Sequence, residues 1–237
     1  MDTPSEDPML DLYYAKSPNG MKLVLFMEEL AELGGQMPAH RFHLVRLSRG
    51  EQHKPDFLAI SPNNKIPAIV DNAPADGGAP LPIFESAVIL EYLADKTGAF
   101  LARDQRTRIE TMQWVVWQVA GLGPMAGQSG WFRTHAHQRD AFAMERYTKE
   151  TARLYGVLDR RLNGREFIAG NAYSIADIAC YPWIVSHKGH GQNLDDFPNV
   201  KRWFEALSAR PATHRAFADY VDVYANPKFS LIDEALA

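Results

Sequence analysis

At 237 residues, with 46% hydrophobic and 23% charged side chains, the chain is long enough for one large domain or two modest ones around a true core. A formal charge of −4 and a pI near 6.1, with no clustered basic face in the sequence, argue against a nucleic-acid or anionic-membrane partner. The single cysteine, Cys180, excludes an internal disulfide and any C-x-x-C pair, so thiol chemistry here needs sulfur from another molecule.

The start, MDTPSEDPM, is acidic and lacks the apolar run of a signal segment. No later stretch holds the roughly eighteen uninterrupted apolar residues of a membrane span, and a soluble cytoplasmic protein is expected. The apolar period changes once, near residue 100. Before it, LDLYYA reads as a strand, about 19–33 as a helix, HRFHLVRL, IPAIVD and LPIFE as strands, and about 86–96 as a helix. That order is a β-α-β unit followed by a hairpin-like pair and a closing helix. After it, RTRIETMQWVVWQVAGLG, HQRDAFAMERYTKETARLYGVLDRRLNG, SIADIACYPWIVSHKG and PNVKRWFEALSARP are helical and end in Gly or Pro breakers, with no convincing strand among them. The second half is therefore all-helical, and the tail after Tyr220 is a short ordered extension or a frayed end.

Four local features carry chemistry, each beside a plainer structural reading. In the stretch from Leu10 to Leu30, Pro18 fixes its own φ and Gly20 takes the angle the turn demands, while Ser17 or Asn19 caps the helix. Negative charge at such a helix start is favoured by about 0.3 to 1 kcal/mol, and a thiolate there has a lowered pKa. In SPNNKIPAIVD, Pro67 opens a strand. A cis Ile66–Pro67 bond would turn the Ile66 backbone outward to pair with an extended peptide; a trans bond would only start the strand. In IFESAVILEYLADKTG, Ser86 reads as the cap of a helix whose Val88, Ile89, Tyr92 and Leu93 recur at core spacing, with Glu85 directly before it. A ligand carboxylate on the N–H groups around Ser86, with its ammonium at Glu85, would be an amino-acid head group; a solvated Glu beside a cap needs no ligand. In SIADIACYPWI, Ser174 and Asp177 have the spacing of a capping box, and Cys180 on that helix is an inert core thiol. His135 and His137 form H-x-H in a loop but lack a third ligand at metal spacing, so no metal is expected. The stretch GLGPMAG follows a helix rather than a strand and is no dinucleotide loop.

Taken together with ADGGAPL, QWVVWQVAGLGPMAGQ, ERYTKETARLY and YSIADIA, these features resemble the cytosolic glutathione transferases, and within them the bacterial Nu class of glutathione-dependent disulfide-bond reductases. The resemblance runs from about Leu10 to Phe217. It implies an α/β plus all-α architecture: a thioredoxin-like, glutathione-binding domain over 10–98 (β-α-β-α-β-β-α) and a helical-bundle domain over 104–222, in a homodimer with a site at each domain junction. It places Ser17 and Asn19 as catalytic donors to the glutathione thiolate or to a glutathione disulfide. It places Gln52 at the glycine end of the ligand with Lys65 as charge partner, the Ile66 backbone before Pro67 on the cysteinyl unit, and Glu85 and Ser86 at the γ-glutamyl end. Gln128 or Ser129 and Arg146 are the residues expected to complete the site across the dimer. Glutathione, reduced or oxidised, is then substrate rather than resident cofactor, and a small disulfide or electrophile is its partner. One departure is GQSGWFRTHAHQ, which matches the class only in its first residues and covers the 130–139 loop expected to shape the acceptor pocket.

Two other readings stay open at this level. Tyr14, or Ser17 alone, could serve a conventional conjugating transferase, which Tyr14→Phe against Ser17→Ala would separate. A non-catalytic glutathione-binding or assembly module would show a degraded clamp, whereas Gln52, Ile66, Pro67, Glu85 and Ser86 are all present.

Overall fold

In strand β1 (Leu10–Tyr14), Leu10 and Leu12 are buried and Asp11 and Tyr13 are not, the period of a strand with one face on a core. In the computed structural model, which describes residues 9–34, 37–220 and 222, β1 is the hub of a four-stranded mixed sheet of order β2-β1-β3-β4. It runs parallel to β2 (His40–Leu44), with Leu10 opposite His40, and antiparallel to β3 (Ala68–Asp71), with Tyr13 opposite Ala68. Strand β4 (Leu81–Phe84) pairs antiparallel with β3, Ala68 opposite Phe84. Helix α1 (Pro18–Glu32) makes the parallel crossover, α2 (Pro55–Ile60) precedes β3, and α3 (Ser86–Thr97) closes the unit. The tail beyond Tyr220 lies, apart from residue 222, outside the described residues.

The helical half comprises α4 (Gln105–Trp117), α5 (Gly123–Thr134), α6 (Ala141–Leu162), α7 (Ile175–Val185), α8 (Pro198–Ser208) and α9 (Pro211–Phe217). Asp104 and Asp140 cap α4 and α6 by accepting from the N–H groups of Thr107 and Ala143 at 2.9 and 3.0 Å. The two halves share one core. Leu12, Phe26, Ile69 and Leu90 from the sheet side are continuous with Leu122, Leu154, Ile178 and Trp203 from the helical side. Arg210, just before α9, adds a forked ion pair to the buried Glu29 of α1 at 2.7 and 2.6 Å.

Two sequence expectations are corrected here. The helix expected to stop at GLG continues: Gln118–Leu122 forms a π-turn that leads into α5. Gly123 is not a stop but a contact, because a Cβ there would lie 2.7 Å from Gln118 Nε2 and 3.2 Å from the Trp183 ring. Pro124 stands in the first turn of α5, where a missing N–H is tolerated. The segment read as a loop over 130–139 is accordingly helical through Thr134, and His135 stacks on Trp131 at its end.

The capping box of α7 is present, and Asp177 goes further than a cap. Fully buried, its carboxylate accepts from the Ile168 N–H (3.0 Å), the Ser174 N–H and hydroxyl (both 3.1 Å) and the Trp203 indole (2.9 Å). Removing it orphans buried donors on three segments at about 1–3 kcal/mol each. We expect Asp177→Ala to lower the urea unfolding free energy by about 3 kcal/mol or more; a loss below about 1 kcal/mol would mean these donors find other acceptors.

Candidate active site

The sheet register decides which parts of the sequence meet. Because Tyr13 stands opposite Ala68 and Ala68 opposite Phe84, the end of β1, the start of β3 and the end of β4 reach the same edge of the sheet. Ser17 and Asn19, Ile66 and Pro67, and Glu85 and Ser86 follow or precede those strand ends directly. The parallel β2 ends beside Tyr14 and leads into the turn that carries Gln52.

At the first of these, Ser17 is the N-cap of α1, accepting from the Gly20 N–H at 3.4 Å and keeping its own hydroxyl proton to donate. Gly20 matters for space rather than for angle: a Cβ there would fall 2.0 Å from the Ala15 carbonyl oxygen. Asn19 accepts from the Trp183 indole N–H at 3.0 Å. An indole N–H only donates, so the amide must turn its oxygen to α7, and both Nδ2 hydrogens remain for a ligand. Tyr14 instead packs its ring edge-on against Phe42 of β2.

The Ile66–Pro67 bond is cis, with Pro67 buried and Ile66 half-buried. Lys65 is exposed, and its carbonyl accepts from the Ser61 hydroxyl at 2.8 Å. Gln52 is half-buried, and its side-chain oxygen has no hydrogen-bond partner among the described residues.

Glu85, not Ser86, occupies the cap position of α3, and it makes no side-chain cap bond. Ser86 cannot serve as the expected cap because it is the first residue of the helix and its Oγ accepts from the Lys22 ammonium at 3.0 Å. Glu85 is exposed at φ 70°, ψ 115°, a left-handed region that costs a non-glycine residue about 1–3 kcal/mol and is found where function holds it.

Three residues of this neighbourhood were not singled out from the sequence: Lys22, Gln118 and Trp183. Lys22 is fully buried and donates to Gln118 Oε1 of the π-turn at 2.5 Å as well as to Ser86. Burial pulls its pKa down to about 7. The available signal was a lysine inside the apolar run MKLVLFM, where a charge has no reason to be unless something holds it.

The remaining expectations divide. Ser129 is fully buried and donates to the His190 carbonyl at 2.9 Å, so it is fixed within the helical domain and cannot meet a ligand. Gln128 and Arg146 are exposed, and Arg146 lines an open groove of about 700 Å³ with Met125, Phe142 and Tyr147. Cys180 is fully buried on α7, where burial and the nearby Asp177 push its thiol pKa up. Among the described residues, no group of three or more His, Cys, Asp or Glu side chains is placed to hold a metal ion. Nor is any helix there long and apolar enough to cross a membrane.

A thioredoxin-like sheet domain with a cis-proline turn, an acidic residue and a serine at one end of its strands, joined to a helical domain, defines a two-part α/β plus all-α architecture. The chain belongs to the glutathione S-transferase family: its N-terminal domain model matches residues 17–96 and its C-terminal domain model residues 122–211. The disulfide-bond oxidoreductase YfcG of Escherichia coli (strain K12) is 52% identical over 208 residues, 88% of this chain and 94% of that protein. A glutathione transferase from Burkholderia graminis, solved with two glutathione molecules bound per subunit, superposes with a TM-score of 0.83 at 44% identity, covering 91% of this chain and 90% of that one. One from Pseudomonas putida, solved with one glutathione disulfide bound per subunit, gives 0.81 at 39% identity, covering 91% and 94%.

Because the Ala15 carbonyl leaves no room for a side chain at Gly20, Gly20→Ala has to displace the loop that presents Ser17. The expected cost is about 1–3 kcal/mol in thermal or urea unfolding; an unchanged midpoint would show that the loop relaxes freely.

Proposed function

We propose that this protein is a glutathione-dependent disulfide-bond reductase of the cytoplasm. The observation that carries the reading is the start of α1: Ser17 and Asn19 offer donors there with no cysteine in the loop, and the chain's single cysteine is fully buried on α7. Sulfur at that point therefore comes from the ligand. A glutathione thiol with an ordinary pKa of about 8.5 needs a shift of only one to two units to be mostly ionised at neutral pH, and two or three donors at a helix N-terminus suffice. The thiolate then attacks one sulfur of a bound disulfide, forming a glutathionyl mixed disulfide and expelling the other sulfur as a thiolate that takes up a proton. A second glutathione attacks the mixed disulfide in the same way. The sum is two glutathiones and one disulfide in, one glutathione disulfide and two thiols out.

In this reading Gln52 and Lys65 hold the glycine end, the Ile66 backbone pairs with the cysteinyl unit, and Glu85 and Ser86 hold the γ-glutamyl ammonium and carboxylate, within a domain spanning 10–98. The relatives solved with two glutathiones or one glutathione disulfide support room for two sulfurs side by side. A homodimer suits the exposed Val88 of α3 and Ile109 and Val116 of α4, and would bring the helical domain's Gln128 and Arg146 to bear across the interface. That surface spans the 10–98 domain at Val88 and the 104–222 domain at Ile109 and Val116, and sedimentation velocity at micromolar concentration is expected to show the dimer.

Glu85→Gln is expected to weaken glutathione binding by about 1.5 to 3 kcal/mol, tenfold or more in Kd, with little change in folding. An unaltered Kd by calorimetry would put the ammonium elsewhere. The reaction is tested by comparing glutathione-driven reduction of a small mixed disulfide with conjugation of a chloronitrobenzene. Reduction is expected to dominate, Cys180→Ser to keep it, and Asn19→Ala to lower it about ten- to a hundredfold while Tyr14→Phe does not. Loss of reduction in Cys180→Ser, or a wild type that conjugates well and reduces nothing, would sink the assignment.

A further inference from the structure

Lys22 is a buried charge that the packing of the fold does not require. It lies one turn beyond Asn19 on α1, fully buried, with its ammonium between Ser86 Oγ at 3.0 Å and Gln118 Oε1 at 2.5 Å. Among the described residues it makes no ion pair. A buried ammonium held by two neutral oxygens is a poor structural tie, since an uncharged side chain in its place would avoid the desolvation. What the arrangement does accomplish is directional. Because the ammonium donates to Ser86 Oγ, the hydroxyl proton of Ser86 is freed from that side and can donate to an incoming group. That side is also where the N–H groups at the start of α3 favour an anion.

We propose that Lys22 is a positioning residue for the γ-glutamyl carboxylate of glutathione, acting through Ser86, and that it takes up a proton when that carboxylate binds. The inference rests on the glutathione reading above. The groups that face the ammonium are few. From the β4–α3 junction, Glu85 favours the charged form at longer range. From α7, Cys180 adjoins it, but burial and Asp177 keep that thiol protonated, so it contributes no charge at neutral pH. On α1 itself, Glu29 is occupied by Arg210 from the α9 side. From the π-turn, Gln118 is neutral, and its Nε2 has no hydrogen-bond partner among the described residues. In the free protein burial therefore dominates and draws the lysine's pKa down to about 7. A ligand carboxylate one hydroxyl away raises it again. The ligand's ammonium at Glu85 opposes this, but from farther off.

The direction with pH follows. Below pH 6 the lysine is already charged and binding exchanges no proton through it. Above about pH 7 it is largely neutral in the free protein and charged in the complex, so binding absorbs a proton, about half of one or more per site at pH 7.5. The experiment is calorimetric titration of the whole protein with S-methylglutathione, which has no titrating thiol, in phosphate and in Bis-Tris at pH 6 and in phosphate and in Tris at pH 7.5. Wild type is expected to show proton uptake at pH 7.5 that fades at pH 6. Lys22→Met is expected to lose that uptake and bind about tenfold more weakly, the difference between the two isolating the lysine from the ligand's own amine. Gln118→Glu guards against a Lys22→Met that fails to fold: a carboxylate against the ammonium keeps Lys22 charged beforehand, so uptake at pH 7.5 should vanish with the lysine still in place. Binding with the same proton count in wild type and in either variant would overturn the proposal alone. No binding of S-methylglutathione by wild type would overturn it together with the glutathione reading.

Discussion

The site depends on one strand register, Tyr13 opposite Ala68 opposite Phe84. A shift of one residue in either pairing would turn the buried and exposed faces over, and Leu12 and Ile69, both fully buried, could not stay in the core. Core packing thus sets the register, and the register aligns the end of β1, the start of β3 and the end of β4. The Ser17–Asn19 loop, the Ile66–Pro67 turn and the Glu85–Ser86 pair have no need to contact one another to be held together. They are positioned by strands whose own positions are determined by apolar burial.

The second constraint is that α1 starts at the boundary between the two halves. Its N-terminal turn is held from the helical domain by the Trp183 indole on Asn19 and, one turn later, by Gln118 on Lys22. Each of these bonds crosses from α1 to the π-turn or α7, and the shared core behind them keeps both sides at a fixed distance. The π-turn places a glutamine where an uninterrupted helix would place its carbonyls differently, and π-turns often occur where a helix serves a site. The amide of Asn19 and the hydroxyl of Ser86 therefore both owe their orientation to residues outside the loop to which they belong.

Charge follows the same geometry. The start of α1 and the start of α3 are both helix N-termini that favour anions, which the proposed function uses for a thiolate and a carboxylate respectively. Cys180, the only sulfur nucleophile of the chain, lies behind them with its thiol held protonated by burial. Under the function proposed above, a protein arranged so would bind a reactive sulfur without contributing one.

Much of this was legible in the sequence. The period-two runs, the capping box at Ser174 and the Ile66–Pro67 turn all report on local backbone chemistry, which a few neighbouring residues settle among themselves; the caps at Asp104 and Asp140 were not picked out. The helix break expected at Gly121–Gly123 failed because glycine there answers to the Trp183 ring and the Gln118 amide, which come from other parts of the structure. Ser86 looked like a cap because serine before an apolar run usually is one; its hydroxyl instead faces an ammonium from 64 residues away. Ser129 looked available, but its hydroxyl is taken by the His190 carbonyl, beyond the end of α7. By itself the sequence determined the opening β-α-β unit, the change to helices near residue 100, the lack of an internal thiol partner and the residue types at the first helix start, because each depends on composition or on neighbours within a turn. Only the tertiary structure decided which way Asn19 and Ser86 face, and that Lys22 stands behind them, because a side chain's free hydrogen depends on what occupies its other side, and here those occupants come from distant segments.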